Sequence, residues 1–98
     1  MRFAMIGAGF WAYFQLAAWR ELDGVECVAV CDRDEPKVRR LAQVRDVPRV
    51  YTDAEALFAS EKLDFVDIVT QVEGHKPLVE MAARHGVPVI CQRQFSWM

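Results

Sequence analysis

The six residues Gly7-Ala8-Gly9-Phe10-Trp11-Ala12 constrain this chain more than any other stretch. A short apolar run, Phe3-Ala4-Met5-Ile6, precedes them and ends at glycine, as a buried strand should. From Phe10 to about Leu22, Phe14, Ala17 and Ala18 recur at helical spacing. A G-x-G-x-x-A between a buried strand and a helix has a physical reading. Gly7 permits the tight turn. Gly9 has no side chain, so the backbone can approach a pyrophosphate. Ala12 is the small position where helix and strand pack. The helix start then offers N–H groups and partial positive charge to phosphates.

The rest of the chain alternates in the same way. Gly24 sits where a helix C-terminal glycine belongs. Residues 25–31 read as a second, valine-rich strand. Asp34 can cap the next helix, with Pro36 tolerated in its first turn. Val38, Leu41 and Ala42 form its predicted inner face, and Lys37, Arg39, Arg40 and Arg45 its solvated outer face. Arg49-Val50-Tyr51 is a short third strand. Thr52-Asp53-Ala54-Glu55 reads as a capping box for a helix to about Ser60. A fourth strand spans 65–70, and a helix runs from about His75 to His85 with Leu78, Met81 and Ala82 inward. Gly86 stops it. Residues 87–91 are a fifth strand, where Pro88 implies an edge position or a strand start. Residues 92–98 read as a tail.

This β-α-β-α-β-α-β-α-β alternation predicts an α/β fold, a doubly wound parallel sheet of the Rossmann type with strand order 3-2-1-4-5. The ligand then lies past the carboxyl ends of the strands, where the order reverses between strands 1 and 4. Asp32 ends strand 2, 20 residues after Ala12, where an acid accepts hydrogen bonds from the adenosine ribose. Its carboxylate favours NAD over NADP, while the adjacent Arg33 can stack on adenine or pair with a 2′-phosphate, so NADP stays open. Thr70, at the end of strand 4, and His75, at the start of the next helix, face the other side of the reversal. Trp11, in the glycine loop beside Phe10, can line the nicotinamide side. The predicted cofactor set is therefore Gly7, Gly9, Phe10, Trp11, Asp32, Arg33, Thr70 and His75.

Composition narrows the classes further. With 98 residues and a formal net charge of -2, the chain is one small domain with no general affinity for nucleic acid or anionic membrane. No stretch approaches the ~18 apolar residues of a membrane span. The hydrophobic fraction, 53%, exceeds the usual range, which suggests some surface meant for another domain or subunit. Three cysteines, Cys27, Cys31 and Cys91, read as reduced core thiols of a cytoplasmic protein. Strand alternation would place Cys27 and Cys31 on one face with no histidine nearby, so they are not a metal pair.

Five stretches resemble the N-terminal domain of the glucose-fructose oxidoreductase / inositol dehydrogenase family (Gfo/Idh/MocA). They are Ile6-Gly7-Ala8-Gly9-Phe10-Trp11-Ala12, Val30-Cys31-Asp32-Arg33-Asp34, Val50-Tyr51-Thr52-Asp53, Asp64-Phe65-Val66-Asp67-Ile68-Val69-Thr70 and His75-Lys76-Pro77-Leu78. The resemblance covers nearly the whole chain to Cys91. It implies NAD(P)-dependent oxidation or reduction of sugars, cyclitols or related small molecules. Two departures stand out. Where the family carries Glu-Lys-Pro, with a lysine that helps bind substrate and move a proton, this chain has Gln92-Arg93-Gln94. Arginine keeps the charge but does not titrate near neutral pH. The family's second, substrate-binding domain is also absent from the sequence.

The expectation is a dinucleotide-binding domain over residues 1–91 and a tail over 92–98, not catalytically competent alone. An unpaired strand 5 and the apolar tail Phe95, Trp97 and Met98 predict a homo-oligomer through them. The alternative is a non-catalytic Rossmann module for binding or assembly. A methyltransferase using S-adenosylmethionine would need a longer chain and a different loop.

Overall fold

A computed structural model describes residues 1–70 and 72–91, apart from the side chains of Val72, Glu73 and Cys91. Nine elements follow one another in strict alternation. They are β1 (Arg2–Ile6), α1 (Phe10–Arg20), β2 (Glu26–Cys31), α2 (Glu35–Arg45), β3 (Arg49–Tyr51), α3 (Ala54–Ser60), β4 (Phe65–Ile68), α4 (Val72–Arg84) and β5 (Val89–Cys91). The strands form one parallel sheet in the order β3-β2-β1-β4-β5, as the alternation predicts.

Each face of the sheet carries its own core. On one, Phe3, Met5, Val30 and Phe65 pack against Ala12 and Leu16 of α1 and Val38 and Leu41 of α2. On the other, Ala4, Ile6, Val66 and Ile68 pack against Leu57 and Phe58 of α3 and Ala82 of α4. The chain thus leaves β1 toward one face and β4 toward the other. That divergence opens the crevice at the carboxyl ends of these neighbours.

Several local expectations are corrected. Helix α1 buries Ala12 and Leu16, whereas Phe14 is exposed. The cap of α3 is Asp53, whose side chain accepts from the Glu55 amide, rather than Thr52. Helix α4 begins three residues before His75 and accommodates Pro77 inside it. Arg45 is half-buried: its Nε donates to the Tyr13 carbonyl at 2.9 Å and its guanidinium lies 5.8 Å from the Tyr13 ring. A register shift pairs Phe3 with Cys27 but Ala4 with Ala29, which leaves Val28 as an extra residue in β2. Cys27 therefore packs on the α1 face and Cys31 on the opposite one. Gly24 does adopt a positive φ of 80°, in the turn into β2 rather than at the helix cap, which is Glu21.

Candidate dinucleotide site

The turn after β1 is built by Gly7. Its φ is 119°, a region that other residues rarely enter. A Cβ there would lie 2.9 Å from the carbonyl carbon and oxygen of Val69. Its N–H donates to the Cys31 carbonyl at 2.8 Å, and the Val69 N–H donates to the Ile6 carbonyl at 2.8 Å. The ends of β1, β2 and β4 are thereby drawn together at one point.

Gly9 differs. Its φ of -79° suits any residue, and a Cβ there would meet nothing within 4 Å. Space is open above it. Helix α1 starts at this glycine without a side-chain cap and without an acid in its first turn. By contrast, Asp34 caps α2 and Asp53 caps α3. The first turn of α1 thus carries no side-chain cap and no acid of its own and faces open space, where an anion fits.

Asp32 follows β2 and is half-buried. Its Oδ2 accepts from the Ala8 amide at 2.7 Å and its Oδ1 from the Asp34 amide at 2.9 Å. The carboxylate is therefore also a strut for the glycine loop, a role that spacing did not reveal. Each oxygen retains a second lone pair, so hydroxyl donors from a ribose can still be accepted. Arg33 beside it is exposed.

An open cleft of about 520 Å³ adjoins the loop, lined among others by Ala8, Gly9, Phe10, Tyr13, Lys37 and Arg40. Lys37 and Arg40 were expected only as solvated charges. Their spacing of three from each other, just after the cap Asp34, was the signal that they share a side of α2. Phe10 and its neighbour Trp11 are exposed, with ring centroids 5.7 Å apart in an edge contact.

Thr70 is half-buried just past β4. His75 Nε2 donates to its carbonyl at 2.8 Å, so His75 latches α4 back onto the end of β4. That donation leaves Nδ1 as the acceptor of the neutral ring. The structure thus gathers Gly7, Gly9, Asp32 and Thr70 around one crevice. Phe10 lines the adjoining cleft with Trp11 against it, and His75 is turned to a backbone partner. Gln71 and residues 92–98, including Gln92-Arg93-Gln94 and Phe95, Trp97 and Met98, lie outside the described residues.

Other chemistry is sparse. Burial pushes the Cys27 and Cys31 thiols up to about 12, which keeps them protonated and poorly nucleophilic. Among the described residues no group of three or more His, Cys, Asp or Glu could hold a metal ion. No helix among them is long and apolar enough to cross a membrane.

Comparison with known proteins agrees with the fold. The model of the family described as an oxidoreductase family with an NAD-binding Rossmann fold covers residues 1–93. D-apiose dehydrogenase of Paraburkholderia graminis is 47% identical over 93 residues, 95% of this chain and 25% of that protein. Inositol 2-dehydrogenase 4 of Saccharopolyspora erythraea is 29% identical over 98% of this chain and 29% of its own length. An Agrobacterium radiobacter oxidoreductase, solved with NAD+, L-tartaric acid and magnesium, is 46% identical. It superposes with a TM-score of 0.91 over 97% of this chain and 28% of its own. The chain spans about a quarter of the length of the curated relatives it matches.

Proposed function

This chain belongs to the Gfo/Idh/MocA oxidoreductase family, and from that membership we propose that it is the cofactor-binding part of a dehydrogenase acting on a sugar or cyclitol. The likeness to D-apiose dehydrogenase and inositol 2-dehydrogenase 4 supports that substrate class. The observation that carries the cofactor site is the uncapped start of α1, beneath the open space at Gly9 and beside Asp32.

The residues divide the work as follows. The loop Gly7-Ala8-Gly9 and the first turn of α1 hold the pyrophosphate on backbone N–H groups. Asp32 accepts from the adenosine ribose, and Arg33 lies over the adenine edge. Thr70, latched by His75, borders the crevice on the β4 side. Phe10 and Trp11 wall the nicotinamide end and exclude water. Bound there, NAD supplies a hydride acceptor for an alcohol carbon. The alcohol proton needs a separate base. Arg93 stands where the family resemblance implies a lysine, and arginine stays protonated, so in this reading the chain alone orients cofactor without turning over substrate.

NADPH is accepted as well in this reading, because Lys37 and Arg40 border the cleft beside Ala8 and Gly9 and supply cations for a 2′-phosphate. Domain 1–91 is the folding unit. It works in the cytoplasm, where the unpaired thiols Cys27 and Cys31 stay reduced, and it associates with a second copy through β5 and the tail. A non-catalytic binding and assembly module is the alternative. Calorimetric titration with NADH and NADPH, on the wild type and Asp32→Ala, decides between them. Binding of NADH that weakens about tenfold or more in the variant supports the cofactor role. Absence of binding to either dinucleotide, with a defined oligomer in solution, would establish the assembly module instead.

A further inference from the structure

Strand β4 carries a carboxylate in its middle. Asp67 is 0% exposed and sits in register with Met5 of β1 and Ile90 of β5. Its neighbours Phe65, Val66 and Ile68 are apolar, as a central parallel strand requires. Among the described residues one strong partner reaches it: Trp19 Nε1 donates to Oδ2 at 2.6 Å. Gln15, one turn earlier on α1, adds a looser polar contact, and among the described residues Oδ1 has no partner at hydrogen-bonding distance. Burial raises the Asp67 carboxyl above its ordinary range. Among the described residues, β1 offers Phe3 and Met5 and β5 offers Ile90 beside it, and its charge is felt by the thiol Cys27 of β2. A half-satisfied buried carboxylate is a poor choice for stability alone, since an apolar residue of similar size would cost less.

Its value is directional. Helix α1 meets the sheet through Ala12 and Leu16, which are small and aliphatic and let a helix slide or turn. Trp19 is different. Its ring lies 5.1 Å from both Phe3 and Phe65, which stack on each other at 4.9 Å, and its N–H reaches Asp67 at the end of that aromatic slot. The same β4 runs on to Val69 and Thr70, which form the wall against Gly7. One strand therefore touches the glycine turn at its end and grips the far end of α1 from its middle.

We propose that Asp67 and Trp19 form a positioning pair that sets the seat of α1 on the sheet, and with it the aim of the phosphate-facing first turn. The consequence for binding rests on the cofactor site described above, but the seat of the helix can be read without ligand. The test uses the 98-residue chain as wild type, Trp19→Phe (ring kept, donor lost), Asp67→Asn (acceptor kept, charge lost) and Phe58→Leu on the opposite core as a destabilised control. Backbone amide NMR of ligand-free protein follows Gly9, Phe10 and Trp11, and calorimetry follows NADH. Trp19→Phe should displace those amides and weaken NADH binding about fivefold. Asp67→Asn should restore wild-type affinity to within about twofold. Phe58→Leu should lower the melting temperature and move neither. Unchanged amides in Trp19→Phe, or equal displacement in Phe58→Leu, overturns the proposal. A wild type that ignores NADH overturns the cofactor role instead, and the amide shifts then decide the seat of α1 alone.

Discussion

At the scale of single residues, the two glycines of the loop do opposite things. Gly7 is required by its own fold: its φ is positive and a side chain would collide with the Val69 backbone. Gly7→Ala should cost about 3 kcal/mol or more, read as a lost or strongly lowered melting transition. Gly9 is tolerant within the fold, since a Cβ enters open space. Gly9→Ala should cost no more than about 1 kcal/mol, the loss of a favoured residue at the start of α1, yet weaken NADH binding about tenfold by filling the approach to the pyrophosphate. Calorimetry beside thermal melts separates the two. Asp67 gives a pH prediction. Its folded pKa lies above the ordinary 3.8 of the unfolded chain. Ionisation therefore destabilises the fold as pH rises through the interval between the two values, and the cost persists above it. Asp67→Asn should be more stable than wild type in urea at neutral pH. The advantage should vanish below the unfolded value, where both states are protonated. A constant difference at every pH would contradict this.

At the scale of elements, composition blurred what periodicity usually settles. Helix α1 is apolar nearly all round, FWAYFQLAAWR, so the pattern could not choose its inner face. The glycine turn chose it by bringing the helix close to β1, where Ala12 and Leu16 fit and Phe14 does not. In α2 the charged residues mark the outside, and Val38, Leu41 and Ala42 are inward as expected. At α3 the capping-box pattern put the cap at Thr52, and the backbone made Asp53 the residue that accepts from the Glu55 amide instead. Asp53→Ala should destabilise by about 1 kcal/mol and Thr52→Ala by much less, measured as shifts in the urea midpoint. In β2 one extra residue moved Cys27 and Cys31 to opposite faces. Such a bulge depends on pairing with β1, which alternation within β2 cannot report.

For the whole molecule, the two faces are unequally finished. Helices α3 and α4 cover one face, while the other carries α1 and α2 over β1, β2 and β3 and leaves Ile90 of β5 exposed. Phe14 of α1 and Leu22 just after that helix are exposed as well. Strand β5 is the last of the sheet among the described residues. An exposed strand edge with apolar surroundings favours association. If β5 mediates a homo-oligomer, Ile90→Lys should shift the chain toward monomer at high concentration, and light scattering would show it. A wild type that is monomeric throughout would remove the basis for that assembly.

The sequence by itself determined the order of elements, the parallel sheet and the place of the crevice. Glycine and proline punctuation, apolar runs and the spacing from Ala12 to Asp32 are local signals that need no knowledge of distant contacts. Only the tertiary structure decided that Asp32 also braces the loop through the Ala8 amide, that Lys37 and Arg40 join the cleft, that His75 turns to the Thr70 carbonyl, and that Trp19 answers Asp67. Most of these bonds join residues far apart in the chain, and even the short His75–Thr70 link depends on how the backbone turns between them. Their geometry exists only after the strands have paired and the helices have settled on them.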